Sequence, residues 1–240
     1  MSQPKITIEF FHDVMSCWCF PVSQKLRALV AENPNVEVIH HSFVLAATPD
    51  LLEKMFADKA EAKREIVEEH WAATRRVENE PRIDCELMMS RDFEYPWSIP
   101  ALLACKAAEK QTGQIGHWDM FDRLQTAHLT EGRNIADTNV LASCAEQLGL
   151  DVAQWQRDCD DPATRAAIDA DMALANRYGL MRIPGLIANG RFQIHGQPYT
   201  VFGWHIPGDK IDAWYEDLLR YDLMQRGLND FGPLILSPDD

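Results

Sequence analysis

The chain opens on Lys5-Ile6-Thr7-Ile8-Glu9-Phe10-Phe11, where apolar residues recur at every second position. Period-two alternation of β-branched and aromatic residues predicts a strand over 5–11. The period then lengthens: the run from Val22 to Val30 has helical spacing and predicts a helix from Pro21 or Val22 to Glu32. A proline inside a helix removes a hydrogen bond and pushes the preceding residue out of the α region. The helix is therefore expected either to kink at Pro21 or to begin there, with 16–19 in the preceding turn. Asn33-Pro34-Asn35 reads as a turn and 36–43 as a second strand, parallel to the first, which makes a right-handed βαβ unit.

From Asp50 to about Asp161 the pattern is helical throughout. The expected segments are a long charged one over 51–78, then 100–111, 117–131, 138–148 ended by Gly149, and 151–158. A further helix is expected over 162–178, closed by Gly179. Two apolar runs then flank Asn189-Gly190, a strong hairpin signal, with Pro184 just before the first. An amphipathic helix over 211–224, carrying Trp214, Leu218, Leu219 and Leu223, precedes a C-terminal tail. No composition shift marks a linker. The reading is one α/β domain formed by 1–45 and 162–226, a helical insertion over 46–161, and a tail over 227–240.

Charge narrows the partners. With 37 acidic against 23 basic residues the net charge is −14, which argues against a phosphate backbone as ligand. No basic segment with an apolar core stands at the N-terminus and no apolar run is long enough to span a bilayer, so a cytoplasmic location is expected. Of the six cysteines, Cys85, Cys105, Cys144 and Cys159 are scattered singly and read as small buried hydrophobes. They lack the paired spacing of a zinc site. His40-His41 in a strand points to opposite faces and is a poor metal pair, so no metal site is expected.

The chemistry concentrates at Ser16-Cys17-Trp18-Cys19, a strand-to-helix junction. A helix N-terminus carries partial positive charge and free N–H groups, which lower a thiol's pKa. Cys17 is therefore expected to be exposed and more reactive than the four scattered cysteines. On these residues alone Ser16 reads equally as a helix N-cap.

The stretch Asp13-Val14-Met15-Ser16-Cys17-Trp18-Cys19-Phe20 resembles the DsbA superfamily, in particular its FrnE-like branch, which reads Asp-Val-x-Cys-Pro-Trp-Cys-Tyr. Asp13, Val14, Trp18 and Cys19 match, Phe20 replaces the Tyr, the family's first Cys falls on Ser16 and its Pro on Cys17. Residues 131–137, Glu-Gly-Arg-Asn-Ile-Ala-Asp, and the stretch 183–190 resemble two further family segments. The resemblance implies a thioredoxin-like fold with a large all-helical insertion, and a cis Ile183–Pro184 bond facing Ser16 or Cys17. It implies thiol–disulfide exchange in which Cys17 attacks and Cys19 resolves, while Trp18, Ile183 and Pro184 bind the substrate. Partners would be protein or small-molecule thiols and disulfides, with a homodimer open as the assembly and no bound cofactor. Ser at the first position also occurs in the kappa-class glutathione transferases and 2-hydroxychromene-2-carboxylate isomerases, where its hydroxyl donates to the glutathione sulfur. That likeness implies an alternative with Ser16 catalytic and glutathione as co-substrate. A third reading is a non-catalytic binding protein of the same fold.

Overall fold

The computed structural model describes residues 5–190 and three short strand segments, Phe192–Gln193, Gln197–Tyr199 and Gly203–His205. The helix expected over 211–224 and the tail over 227–240 lie outside the described residues. Strand β1 (Ile6–His12) pairs in parallel with β2 (Val36–Ser42), from Ile6 opposite Val36 to His12 opposite Ser42. It pairs antiparallel with β3 (Gly185–Ala188), which pairs with β4 (Phe192–Gln193). The order β2-β1-β3-β4 is that of a thioredoxin-like sheet. Strands β5 (Gln197–Tyr199) and β6 (Gly203–His205) form a separate pair. Asn189 and Gly190, which follow the paired Ala188 and lead towards Phe192, both have positive φ, 47° and 70°, a conformation that Asn and Gly reach at little cost. Asn189 also exchanges bonds with Thr7: its N–H donates to the Thr7 carbonyl at 2.8 Å and its Oδ1 accepts the Thr7 N–H at 2.7 Å.

Helix α1 (Cys19–Glu32) crosses from β1 to β2 and starts earlier than expected. It neither kinks at Pro21 nor begins there, because Pro21 falls in the first turn, where N–H groups have no partner within the helix. Pro100 sits in the same way in the first turn of a later helix.

The insertion is helical, with breaks that patterning alone did not locate. The run expected over 51–78 divides into α2 (Pro49–Met55) and α3 (Lys59–Glu65), where Asp58 accepts the Glu61 N–H at 2.8 Å and restarts the helix. Helix α3 continues through a π-helical stretch (Ile66–Trp71) into α4 (Ala72–Val77), and α5 (Cys85–Met89) follows. The two helices expected over 100–111 and 117–131 become one, α6 (Ser98–Gln125), broken at Thr112 and at Gly113 with φ 70°, and prolonged by a π-helical stretch (Thr126–Thr130). Then come α7 (Thr138–Gln147), α8 (Val152–Asp160) and α9 (Pro162–Arg177). Their N-caps are Asp137, Asp151 and Asp161, and Asp84 caps α5, so part of the acidic excess satisfies helix starts.

Helix α6 lies against both the sheet and α1. Phe121 meets Phe10 edge-on at 6.0 Å. Arg27 of α1 reaches Asp119 at 2.7 Å and Asp122 at 3.0 Å, with its guanidinium over the Trp118 ring. A buried Lys25–Glu78 pair at 2.6 Å ties α1 to the end of α4. Deeper, the Trp71 indole donates to Tyr95 Oη at 3.0 Å, and His128 Nε2 lies 3.1 Å from the same oxygen.

Burial holds His128 neutral, with its pKa lowered from 6.5 to about 3. Protonation therefore favours the unfolded chain, and the stability that neutral His128 contributes is lost as pH falls from 6.5 towards 3. Urea denaturation at pH 7.5 and pH 5 is expected to show a His128→Gln variant losing less stability on acidification than the parent, by about 2 kcal/mol. Equal losses in the two proteins would show that His128 is not held neutral.

Candidate functional site

The turn 13–18 joins β1 to α1 and is built on Asp13. This fully buried carboxylate accepts the Met15 N–H at 3.0 Å and the Leu45 N–H at 2.9 Å, and the Ser98 hydroxyl faces it. Burial nevertheless raises its pKa to about 6. The Ser16 N–H donates to the Asp13 carbonyl and the Cys19 N–H to the Ser16 carbonyl, so successive turns lead into α1. Gln125, at the end of α6, donates its amide to the Val14 carbonyl at 3.2 Å and the Ser16 carbonyl at 2.7 Å. The insertion thus holds the turn from behind.

Ser16, Cys17, Trp18 and Cys19 lie together on this turn. Residues Ile183 and Pro184 come to the same end of the sheet from β3. Gly185 pairs with Phe11, so the Ile183–Pro184 bond, which is cis, stands level with the residues where the turn begins. Trp18 is half-buried, while Ser16 and Ile183 are each about 6% exposed.

The thiols differ from expectation. Cys17 is 4% exposed and Cys19 not at all. Thr74 Oγ1 lies 3.1 Å from Cys17 Sγ and 2.9 Å from the His70 carbonyl. The Ser16 hydroxyl lies beside the Cys19 sulfur and favours its thiolate. Burial pushes the Cys17 thiol up to about 12 and Cys19 higher still, against the weaker lowering effect of these hydroxyls and of backbone amides. The expectation of an exposed Cys17 with a lowered pKa is therefore corrected. Desolvation of the thiolate outweighs the helix-start electrostatics that motivated it.

Sequence reasoning missed several residues here. Thr74, Tyr95 and Gln125 come from the insertion and carry no local motif; only the fold brings them to the turn. Next to Thr74 on α4, Arg75 and Arg76 line an open groove of about 390 Å³ with Asn79, Cys85 and Glu86. Neither arginine is in an ion pair among the described residues. Cys105 and Cys144 are buried as expected, whereas Cys85 and Cys159 are half-buried.

This accessibility reverses the expected order of reactivity. Limiting iodoacetamide at pH 7.5 is expected to modify Cys85 before Cys17 or Cys19, as read by peptide mapping. Modification of Cys17 should then accelerate about tenfold per pH unit from 7 to 10, because the thiolate fraction grows so below the pKa. Early labelling of Cys17 at neutral pH would contradict its closure.

A family model described as the DSBA-like thioredoxin domain matches residues 7–203. The chain is similar to the ClpXP adapter protein SpxH of Bacillus subtilis (strain 168), at 26% identity over 206 residues, 85% of this chain and 62% of the adapter. It therefore spans less than two thirds of that relative's length. Among solved structures it is similar to the cytosolic disulfide reductase DsbM from Pseudomonas aeruginosa with GSH, with a TM-score of 0.63, 23% identity and coverage of 89% of this chain and 99% of that one. It is also similar to a putative protein disulfide isomerase from Nitrosomonas europaea, with a TM-score of 0.68, 15% identity and coverage of 92% and 98%. At these identities the structural likenesses show the fold. Since the family model spans most of the chain, from β1 to β6, the chain belongs to the DSBA-like thioredoxin-domain family.

Proposed function

We propose that this chain handles thiols of the glutathione type, with the reactive sulfur supplied by the ligand and oriented by Ser16. The observation that carries this reading is the desolvation of Cys17: Ser16 is buried to a similar degree, but a hydroxyl donates without ionising. With a pKa of about 12, roughly one Cys17 in 10⁵ is thiolate at pH 7, whereas a free thiol of pKa about 8.5 is ionised to a few per cent. An incoming thiol thus brings over a thousandfold more thiolate than the buried cysteine offers. The Ser16 hydroxyl, which lies beside a neutral Cys19 thiol, would donate to the better acceptor. Trp18, Ile183 and Pro184 would flank the ligand's backbone. Arg75 and Arg76, beside the Thr74–Cys17 contact, suit its carboxylates. The likeness to a disulfide reductase solved with GSH supports a thiol ligand. The reaction class is a glutathione-dependent reductase, transferase or isomerase, suited to a reducing compartment such as the cytoplasm.

Thiol–disulfide exchange through Cys17 and Cys19 is the second reading. It is favoured by one observation: each sulfur has a hydroxyl beside it, Thr74 for Cys17 and Ser16 for Cys19, placed to stabilise a thiolate once the turn opens.

Reduction of insulin and of a small glutathione mixed disulfide, with glutathione as reductant, separates the two. Under the first reading Ser16→Ala is expected to lose about 10- to 100-fold in rate, the loss of a charge-assisted hydrogen bond, while Cys17→Ala stays near the parent. Replacing Arg75 and Arg76 with Ala should raise KM for glutathione. Under the second reading the ranking of Ser16→Ala and Cys17→Ala inverts, and the parental rate climbs with pH without a plateau up to pH 10. If parent and variants are equally inactive and calorimetry detects no glutathione binding, both readings fail and a non-catalytic binding protein is left.

A further inference from the structure

Away from the thiols, three imidazoles from three elements meet inside the core. His12 ends β1, His40 lies in β2 and His117 in the second half of α6. Phe10 pairs with His40 in the sheet and His12 lies two residues on, so strand alternation puts all three side chains on one face. Helix α6 covers that face with His117, Trp118 and Phe121. The three histidines are fully buried. Their ring centroids are 5.2 Å (His12–His40), 5.2 Å (His12–His117) and 5.3 Å (His40–His117) apart. One nitrogen from each lies within 4.8 Å of the others, and His12 Nε2 is 3.1 Å from His40 Nδ1. Zn–N bonds of about 2.0–2.1 Å at tetrahedral angles place donor nitrogens roughly 3.3 Å apart and ring centroids roughly 5 Å apart.

The hydrogen bonds of this cluster are incomplete. His117 Nε2 is buried without a partner, a condition rare for polar atoms in a core, and His12 Nε2 and His40 Nδ1 have only each other. His117 Nδ1 lies 2.7 Å from Glu109 Oε2, which fixes the ring N–H towards the carboxylate and leaves Nε2 as a bare lone pair. Glu109 is held in turn by Lys106 at 3.0 Å and Gln114 at 2.9 Å. A carboxylate behind an imidazole in this way is the usual support of a metal-binding histidine.

We propose that His12, His40 and His117 form a site for one divalent transition-metal ion, with zinc the best match to three imidazoles at this spacing. Glu109 and Asp171 offset the ion's charge; Lys106 and Arg27 oppose it. The cluster is closed to solvent, so the ion enters as the chain folds and pins β1, β2 and α6 together one residue before Asp13. His40-His41 is a poor pair, as expected, and the proposed site departs from the expectation of no metal because His40's partners in it are distant in sequence.

The test uses the full chain without an affinity tag, unfolded with chelator and refolded with zinc chloride or with chelator alone. Elemental analysis after dialysis is expected to give about one zinc per chain, with a higher Tm than the metal-free preparation. Cobalt(II) in place of zinc should show the visible absorption of a tetrahedral nitrogen site. His40→Leu and His117→Leu are expected to abolish both signals. Should either fail to fold, Glu109→Gln keeps the three ligands and is expected to weaken zinc binding about 10- to 100-fold in competition with a chromophoric chelator. A parent that retains no zinc and shows no change in Tm overturns the site, as does full zinc content in the histidine variants.

Discussion

The structure turns on one buried carboxylate. Asp13 sits where β1 stops, and its oxygens collect N–H groups from Met15 in the turn and Leu45 beyond β2, with the Ser98 hydroxyl from the first turn of α6 beside them. A carboxylate out of water is costly unless hydrogen-bonded, and the rise of its pKa to about 6 measures how incompletely these donors replace solvent. Remove it, and the thiol turn and the entry to the insertion lose their common acceptor.

The same desolvation governs the sulfurs. A helix start favours a thiolate by a modest, local effect. Full burial works the other way and is larger, so Cys17 and Cys19 become weak acids although they stand where α1 begins. The insertion produces this burial: Thr74 and Tyr95 lie against the turn and Gln125 seizes its carbonyls. Any chemistry at this site therefore depends on what the insertion admits, and Arg75 and Arg76 border the groove next to its closest contact with Cys17.

Much of the fold was legible in the sequence because it rests on local rules. Alternation marked β1 and β2, Asn189-Gly190 marked the hairpin, and the helical period marked the insertion. Helix limits were less legible. Pro21 looked like an obstacle only while any position inside the helix was taken as costly, whereas it falls in the first turn, and the break after α2 needed Asp58 to be seen as a cap. The site was legible only where one segment carries it: residues 16–19 were found, but Thr74 and Gln125 were not, because nothing within an amphipathic helix tells a side chain that will face a thiol from one that fills space. His12, His40 and His117 were missed for the same reason, with the crossover helix between His12 and His40, and His117 standing 77 positions after His40, most of that span in the insertion.

Two polar clusters flank the Asp13 turn inside an otherwise apolar core. The imidazoles of His12, His40 and His117 lie on the sheet side, and Trp71, Tyr95 and His128 lie on the insertion side, where Tyr95 Oη also reaches the Met15 carbonyl at 3.4 Å. Apolar residues would pack there with no demand for partners, so each cluster trades some freedom of substitution for direction. Hydrogen bonds and lone pairs have fixed angles where van der Waals contacts do not. The Asp13, Tyr95 and Gln125 bonds to the turn thus hold it by direction as well as by packing.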